Sequence, residues 1–306
     1  MIRRFTQLFG IPGLMTLLVW MNNPVLAQGL QTIKQTEDTL TAILTRINQS
    51  TDDSTKEKLN GLFYQILYQA LIEPAADNHP FTSLKSLVKI TSPDNKFTIY
   101  HWNLPDSKGN HKYYGFIKML NRDTSLVFSL NDFSDSIPSP ETAHLDCMHW
   151  FGALYYKVIL NETKSGKQFY TLLGWSGKNA VITQKIIEIL SFNDRGIPEF
   201  GLPLFPDFKG GKMTRIIFRY SASTSMSLKY EEQMISSDKK WNPKKREFEF
   251  KTRTAMMIVC DRLVPLDPQL EGQYQYYVAA GDVFDGFEWK NGGWNFIQGI
   301  DSRNKK

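Results

Sequence analysis

Cysteine is nearly absent, with two in 306 residues, Cys147 and Cys260. A scaffold built on disulfides is therefore excluded, because such frameworks need several bridges in a short chain. One Cys147–Cys260 bridge is open to an oxidising compartment if the two Cα atoms approach closely enough. Histidine is scarce as well. Of the five, His79, His101 and His111 show no spacing that would supply a second ligand pair beside His144 and His149, so no zinc motif is present and no metal is expected. The Gly-x-Ser-x-Gly elbow, the phosphate loop, the dinucleotide fingerprint and a properly spaced calcium loop are all missing. No cofactor is implied. The formal net charge is only +5, too mild for a nucleic-acid-binding domain. Beyond the N-terminus no apolar run is long enough to cross a bilayer.

The N-terminus itself is distinctive. Arg3 and Arg4 form a short basic region, Leu8 to Trp20 an apolar run broken by Gly10, Pro12 and Gly13, and Val25-Leu26-Ala27 a stretch of the kind signal peptidase reads. Residues 1–27 are expected to be a signal peptide cut after Ala27, which lowers the net charge from +5 to +3 because two arginines leave with it. No cysteine follows the apolar run, so a lipid anchor is not expected. The remaining chain is expected in the periplasm or outside the cell. An aromatic content of 13% is enough to fill a large core.

Residues 28–80 read as a helical hairpin. Leu40, Ile43, Leu44 and Ile47 recur at helical spacing, as do Leu59, Leu62, Phe63, Ile66, Leu67, Ala70 and Leu71. Ser50 to Ser54 separates the two runs, with Ser54 and Glu57 spaced as a capping box, and Pro74 ends the second. Leu62, Phe63, Ile66 and Leu67 are expected to dock on the rest of the protein as part of one cooperative unit. From residue 81 to 306 the period falls to two. Strands are expected over 96–102, 112–120, 125–130, 153–160, 168–175, 185–192, 215–220, 226–230, 246–260 and 273–278, separated by turn residues such as Ser176-Gly177-Lys178-Asn179. Short connections mean antiparallel pairing. The fold class is thus α+β, an N-terminal helical hairpin on an open or rolled antiparallel meander, with an irregular β-propeller as the alternative. Residues 236–252 form a basic loop or protruding hairpin, expected to be a solvated surface.

The chain closes on DGFEWKNGGWNFI. Asn291-Gly292 suits a two-residue type I′ turn, which sets Trp289 opposite Trp294 and Phe287 opposite Phe296. All four rings then share one face, with Glu288, Lys290 and Asn295 on the other. That face is expected to be core, with a stacking groove for a sugar or peptide on Trp289 and Trp294 as the alternative.

Tyr155-Tyr156-Lys157, Phe169 to Trp175, Gly272 to Tyr276 and Asp285 to Trp289 together resemble an uncharacterised family of exported proteins from Bacteroidota, over most of the mature chain. The resemblance implies a cell-envelope or secreted location. It implies no activity, cofactor or site residue.

His144-Leu145-Asp146-Cys147-Met148-His149 is the densest polar cluster. Cys147 with His149 or His144 has the ingredients of a thiolate and its base, yet in a strand Cys147 and His149 share one face and His144 and Asp146 the other. Among carboxylates, Asp282, Asp285 and Glu288 lie close in sequence, but Asp285 and Glu288 alternate across a strand and set up no glycosidase pair. Two function classes remain. One is a non-catalytic envelope domain that binds or scaffolds a glycan, a peptide or another envelope protein; the other is a hydrolase built on the Cys/His cluster or on an unrecognised carboxylate pair.

Overall fold

Two runs of helical periodicity give α1 (Pro24–Gln49) and α2 (Asp53–Ile72) in the computed structural model, which describes residues 24–300 apart from 121–125, 164, 211, 237–239, 250 and 251. Most of the expected signal peptide lies outside the described residues, and α1 runs through Ala27. The cap of α2 is Asp52, not Ser54: its Oδ2 accepts from the Thr55 amide at 2.7 Å. A carboxylate here satisfies an orphan N–H and sets negative charge at the positive end of the helix. Leu59, Phe63, Leu67, Ala70 and Leu71 are buried, whereas Leu62 is exposed. The expected docking of Leu62 fails because it stands about 100° around the helix from Phe63. None of the described helices is long and apolar enough to cross a membrane.

The β body consists of three antiparallel sheets, each made from one continuous stretch of chain. The first is a meander of β1 (Val88–Thr91), β2 (Phe97–Pro105), β3 (His111–Met119) and β4 (Val127–Asn131). The second contains β5 (Leu145–Asp146), β6 (Leu154–Glu162), β7 (Gln168–Ser176), β8 (Ile182–Phe192), β9 (Pro198–Phe200) and β10 (Arg215–Ser221), in the order β5-β9-β8-β7-β6 with β10 also on β8. After β11 (Leu228–Ser236), a separate two-stranded hairpin of β12 (Lys240–Asn242) and β13 (Glu247–Glu249) intervenes. The third sheet then adds β14 (Thr252–Pro265), β15 (Tyr277–Lys290) and β16 (Gly293–Ile300), in the order β11-β14-β15-β16. The expected strand over 246–260 is met by β13 and β14, with residues 250 and 251 outside the described residues. One expected strand is corrected: within 273–278, Tyr274–Tyr276 is a 3-10 turn. There the Gln273 and Tyr276 amides bond locally to Leu270 O and Gln273 O, so the chain turns before β15 can start.

Side-chain alternation stacks these elements into four layers. Tyr100, Trp102 and Phe116 point from the first sheet to Phe63, Leu67 and Leu40 of the helices. Phe97, Ile99 and Ile117 point the other way, onto Tyr170, Leu172 and Ile186 of the second sheet. From the opposite face of that sheet Phe169, Leu173 and Ile187 meet Ile258, Phe287 and Trp294 of the third. A propeller needs its last blade to pack on its first; here the helices occupy the outer face of the first sheet, which rules that alternative out. Polar pins cross the layers. Trp102 Nε1 donates to Asn60 Oδ1 at 2.7 Å between sheet and helix. The buried His101 accepts the Tyr155 amide on Nε2 at 2.6 Å and reaches Val88 O with Nδ1 at 3.1 Å, joining the first sheet to the second. Burial holds this imidazole at a pKa of about 4, against the Tyr155 and Val88 carbonyls, which would favour its charged form.

The closing hairpin has the expected register, with Trp289 opposite Trp294, Phe287 opposite Phe296, and Asn291 and Gly292 both at positive φ in the turn. Its aromatic face is core. Trp294 is fully buried, and its Nε1 donates to Thr171 Oγ1 at 2.8 Å across the layer boundary. Cys147 and Cys260 are free thiols in different cores, the first between sheets one and two and the second between sheets two and three, so no bridge forms.

Candidate functional site

The Cys/His cluster of the sequence folds around Asp146, which caps the 3-10 turn Cys147–His149 by accepting the Met148 and His149 amides, each at 2.9 Å. The His149 ring turns back to the same carboxylate, Nδ1 to Oδ1 2.8 Å. Burial pushes Asp146 up, but its bonds to the His149 ring and to the His149 and Met148 amides outweigh this and hold it below the usual carboxylate range. His144 is used elsewhere, with Nδ1 on Gly201 O at 2.8 Å and Nε2 on Glu199 Oε2 at 3.3 Å. Cys147 points inward. Its Sγ lies 3.6 Å from Pro198 O, and burial, followed by the Asp146 charge, pushes the thiol up to about 12. A nucleophilic thiol needs the opposite environment, electropositive and open. No nucleophile–base pair is assembled here. Among the described residues no group of three or more His, Cys, Asp or Glu is arranged to hold a metal.

The carboxylates near the closing hairpin are also committed. Asp285 takes a two-point bond from Arg262, Nε to Oδ2 3.0 Å and Nη2 to Oδ1 2.5 Å. Glu288, on the other face of β15, is held by Arg253 at 2.5 and 2.7 Å and by Lys290 at 2.7 Å. Asp282 is exposed.

Among the described residues, two concavities are of ligand size. One, of about 520 Å³, lies between the start of α2, the β2–β3 turn and residues 132–136, and its lining is polar. Its carboxylates other than Glu57 are engaged already, Asp53 by Ser107, Asp106 by Asn110, Asp132 by Ser134 and Asp135 by Lys178. The other, of about 480 Å³, opens between the second and third sheets. Ile216, Ile217, Phe218 and Arg219 all line it. Successive side chains of a strand point to opposite faces, so four consecutive residues share one groove only if it runs along the strand's edge. β10 is such an edge, since it pairs with β8 alone. No protein-family model, curated protein or solved structure matches the chain. The groove must therefore be read from its own chemistry.

Phe208, Met213, Phe218, Leu263, Tyr277 and Phe296 supply an apolar and aromatic lining. Three arginines stand among them, with Lys209 and the carboxylates of Glu141, Asp261 and Asp285. Arg262 is closed off by its two-point bond to Asp285. Arg219 is held at one point: Nη1 donates to Glu141 Oε1 at 2.5 Å and the group packs 5.6 Å from the Tyr274 ring centre, and among the described residues no second hydrogen bond engages it. Below them Arg215 is fully buried, with Nε on Glu188 Oε2 at 2.7 Å and Nη1 on Pro140 O. Burial raises the Glu188 carboxyl against the pull of Arg215. This pair braces the wall by tying β8, β10 and residues 140–143 together. Tyr274, Asp285 and Phe296 lie in stretches that stand out in the sequence, but none of them reads there as part of a groove. The one available signal was Arg215 and Arg219, four apart on one face of an otherwise apolar strand.

Proposed function

We propose that the protein works outside the cytoplasm, in the cell envelope or secreted, as a non-catalytic binding domain whose ligand lies in the groove between the second and third sheets. The ligand class is an apolar or aromatic group with an anionic end, as in a peptide ending in a hydrophobic residue or in a fatty acid. The carrying observation is the composition of the groove: a largely apolar and aromatic wall of ligand size in which the Arg219 guanidinium is bonded, among the described residues, through Nη1 alone. Desolvated apolar contacts would supply the affinity, and the planar donors of Arg219 would orient a carboxylate. The extracytoplasmic location rests on the basic and apolar N-terminal pattern and on the family resemblance. The hydrolase alternative fits the geometry poorly, because Cys147 is buried with a raised pKa and neither neighbouring histidine reaches it.

Calorimetric titration with N-acetylphenylalanine, N-acetylphenylalanine amide and dodecanoate tests the reading. The two carboxylates should bind, with the amide at least about tenfold weaker, as expected for loss of a charge-assisted bond. Arg219→Gln should erase the preference for the acid, and Leu263→Trp, which fills the groove, should weaken both carboxylates. Equal binding of acid and amide, or indifference to both substitutions, refutes the assignment. Preference between the peptide-like acid and dodecanoate separates the two sources.

A further inference from the structure

The β12–β13 hairpin takes no part in the ligand groove. Among the described residues its strands pair only with each other, and none of them belongs to the three cores. Residues 238–249 hold five lysines and arginines against three acids, Asp238, Glu247 and Glu249, a net of +2, with Lys244, Lys245 and Arg246 consecutive at the turn. Its turn is held by Asn242, whose Oδ1 accepts the amides of Lys244 and Lys245 at 3.0 and 3.3 Å, while its carbonyl accepts the Arg246 amide at 2.8 Å. Lys244, Lys245 and Arg246 are thereby fixed in an exposed turn.

A solvated basic loop needs only the cations. This one also carries large apolar side chains that are about half exposed. Trp241, just before the turn, is 53% exposed, the most of any tryptophan among the described residues. Met234 and Met256 are 52% and 45% exposed on the β11–β14 ribbon that leads to the hairpin. Met234 stands opposite Thr254 and Met256 opposite Glu232, so both methionines share one face of that ribbon. Soluble polyanions reward the cations alone. An anionic bilayer rewards both sets, because basic side chains sit at the headgroups while indole and thioether enter the interfacial zone, where tryptophan is favoured.

We propose that the β12–β13 hairpin docks the protein on an anionic lipid surface, with Lys244, Lys245 and Arg246 at the headgroups and Trp241 in the interface. The association is peripheral and reversible, and it weakens as salt rises because exposed charges are screened over about 8 Å at physiological ionic strength.

Sedimentation of the full chain with vesicles of phosphatidylcholine alone, and with added phosphatidylglycerol, tests this. Binding is expected only with the anionic lipid, accompanied by a blue shift of tryptophan emission that disappears in Trp241→Phe. Lys244→Ala with Lys245→Ala should lower partitioning about 25-fold, at about fivefold per charge. Trp241→Ala should lower it about tenfold, as loss of a buried aromatic contact predicts, and should leave retention on heparin unchanged. Three results overturn the proposal: no binding, equal binding to both vesicle types, or loss of vesicle and heparin binding together in the lysine variant with no effect of Trp241→Ala. The last assigns the hairpin to a soluble polyanion.

Discussion

Replacing Phe63 with alanine should destabilise the whole protein and not the helical hairpin alone. Phe63 has no exposed surface, and its ring meets that of Trp102 edge-on with centroids 5.0 Å apart. The substitution loses transfer energy and leaves a cavity between a helix and a sheet, neither of which can close it without moving many neighbours. The cost is about 3–5 kcal/mol, within which the edge-to-face pair accounts for about 1 kcal/mol. For a chain of this size that lowers the melting temperature by about 10 °C. Because α1, α2, β2 and β3 share one core, the loss should appear in a single transition. Far-UV circular dichroism and tryptophan fluorescence should report the same shifted midpoint, since one follows backbone structure throughout and the other includes Trp102 in the first sheet. Two separate transitions, with only the helical one displaced, would refute the shared-core reasoning and make the helices an independent unit.

Acid should act through His101. Its folded pKa of about 4 lies below the ordinary 6.5, so between those values the unfolded chain takes up a proton that the folded one refuses. Stability present above pH 6.5 is lost as pH falls, by about 3 kcal/mol at full effect. Urea unfolding across this window should show that slope, and an imidazole resonance of His101 titrating near pH 6.5 would disprove it. The thiols offer a second check. Both are buried, with pKa values raised chiefly by burial, so Ellman's reagent should find neither in the native protein and both after denaturation. Rapid native reaction at Cys147 would return the hydrolase reading to contention.

The closing hairpin was readable from sequence because its register depends on a local rule. Asn291-Gly292 supplies the backbone conformation the turn demands, and pairing follows residue by residue. Helix α2 was readable for a similar reason, since one buried stripe repeats along it. The errors share a cause: Asp52 and Ser54 are both competent caps, and Tyr274 to Tyr276 has strand composition although its amides find local acceptors. The groove was out of reach altogether. Its walls come from residues 139, 141, 142, 208, 209, 213, 215–219, 260–263, 274, 277, 285 and 296, and nothing local to any of these stretches says that the others will be beside it. The burial of Glu188 and Arg215 was equally hidden, because a single charged residue in an apolar strand does not announce which strand will bring its partner.

The stacking of three sheets, each drawn from an uninterrupted length of chain, bears on how the molecule assembles. Residues 88–131, 145–221 and 228–300 close their own strand pairings before the next layer is needed. Strand pairing among the described residues thus stays within each stretch, which limits the length of loop that any one pair must close. A polypeptide emerging N-terminus first can lay the first sheet on the helices, the second on the first and the third on the second, each finished face serving as template for the next. The last layer stays incomplete until Trp294 arrives to bond Thr171, so a chain shortened before the closing hairpin should expose the hydrophobic face of the second sheet and become a substrate for proteases.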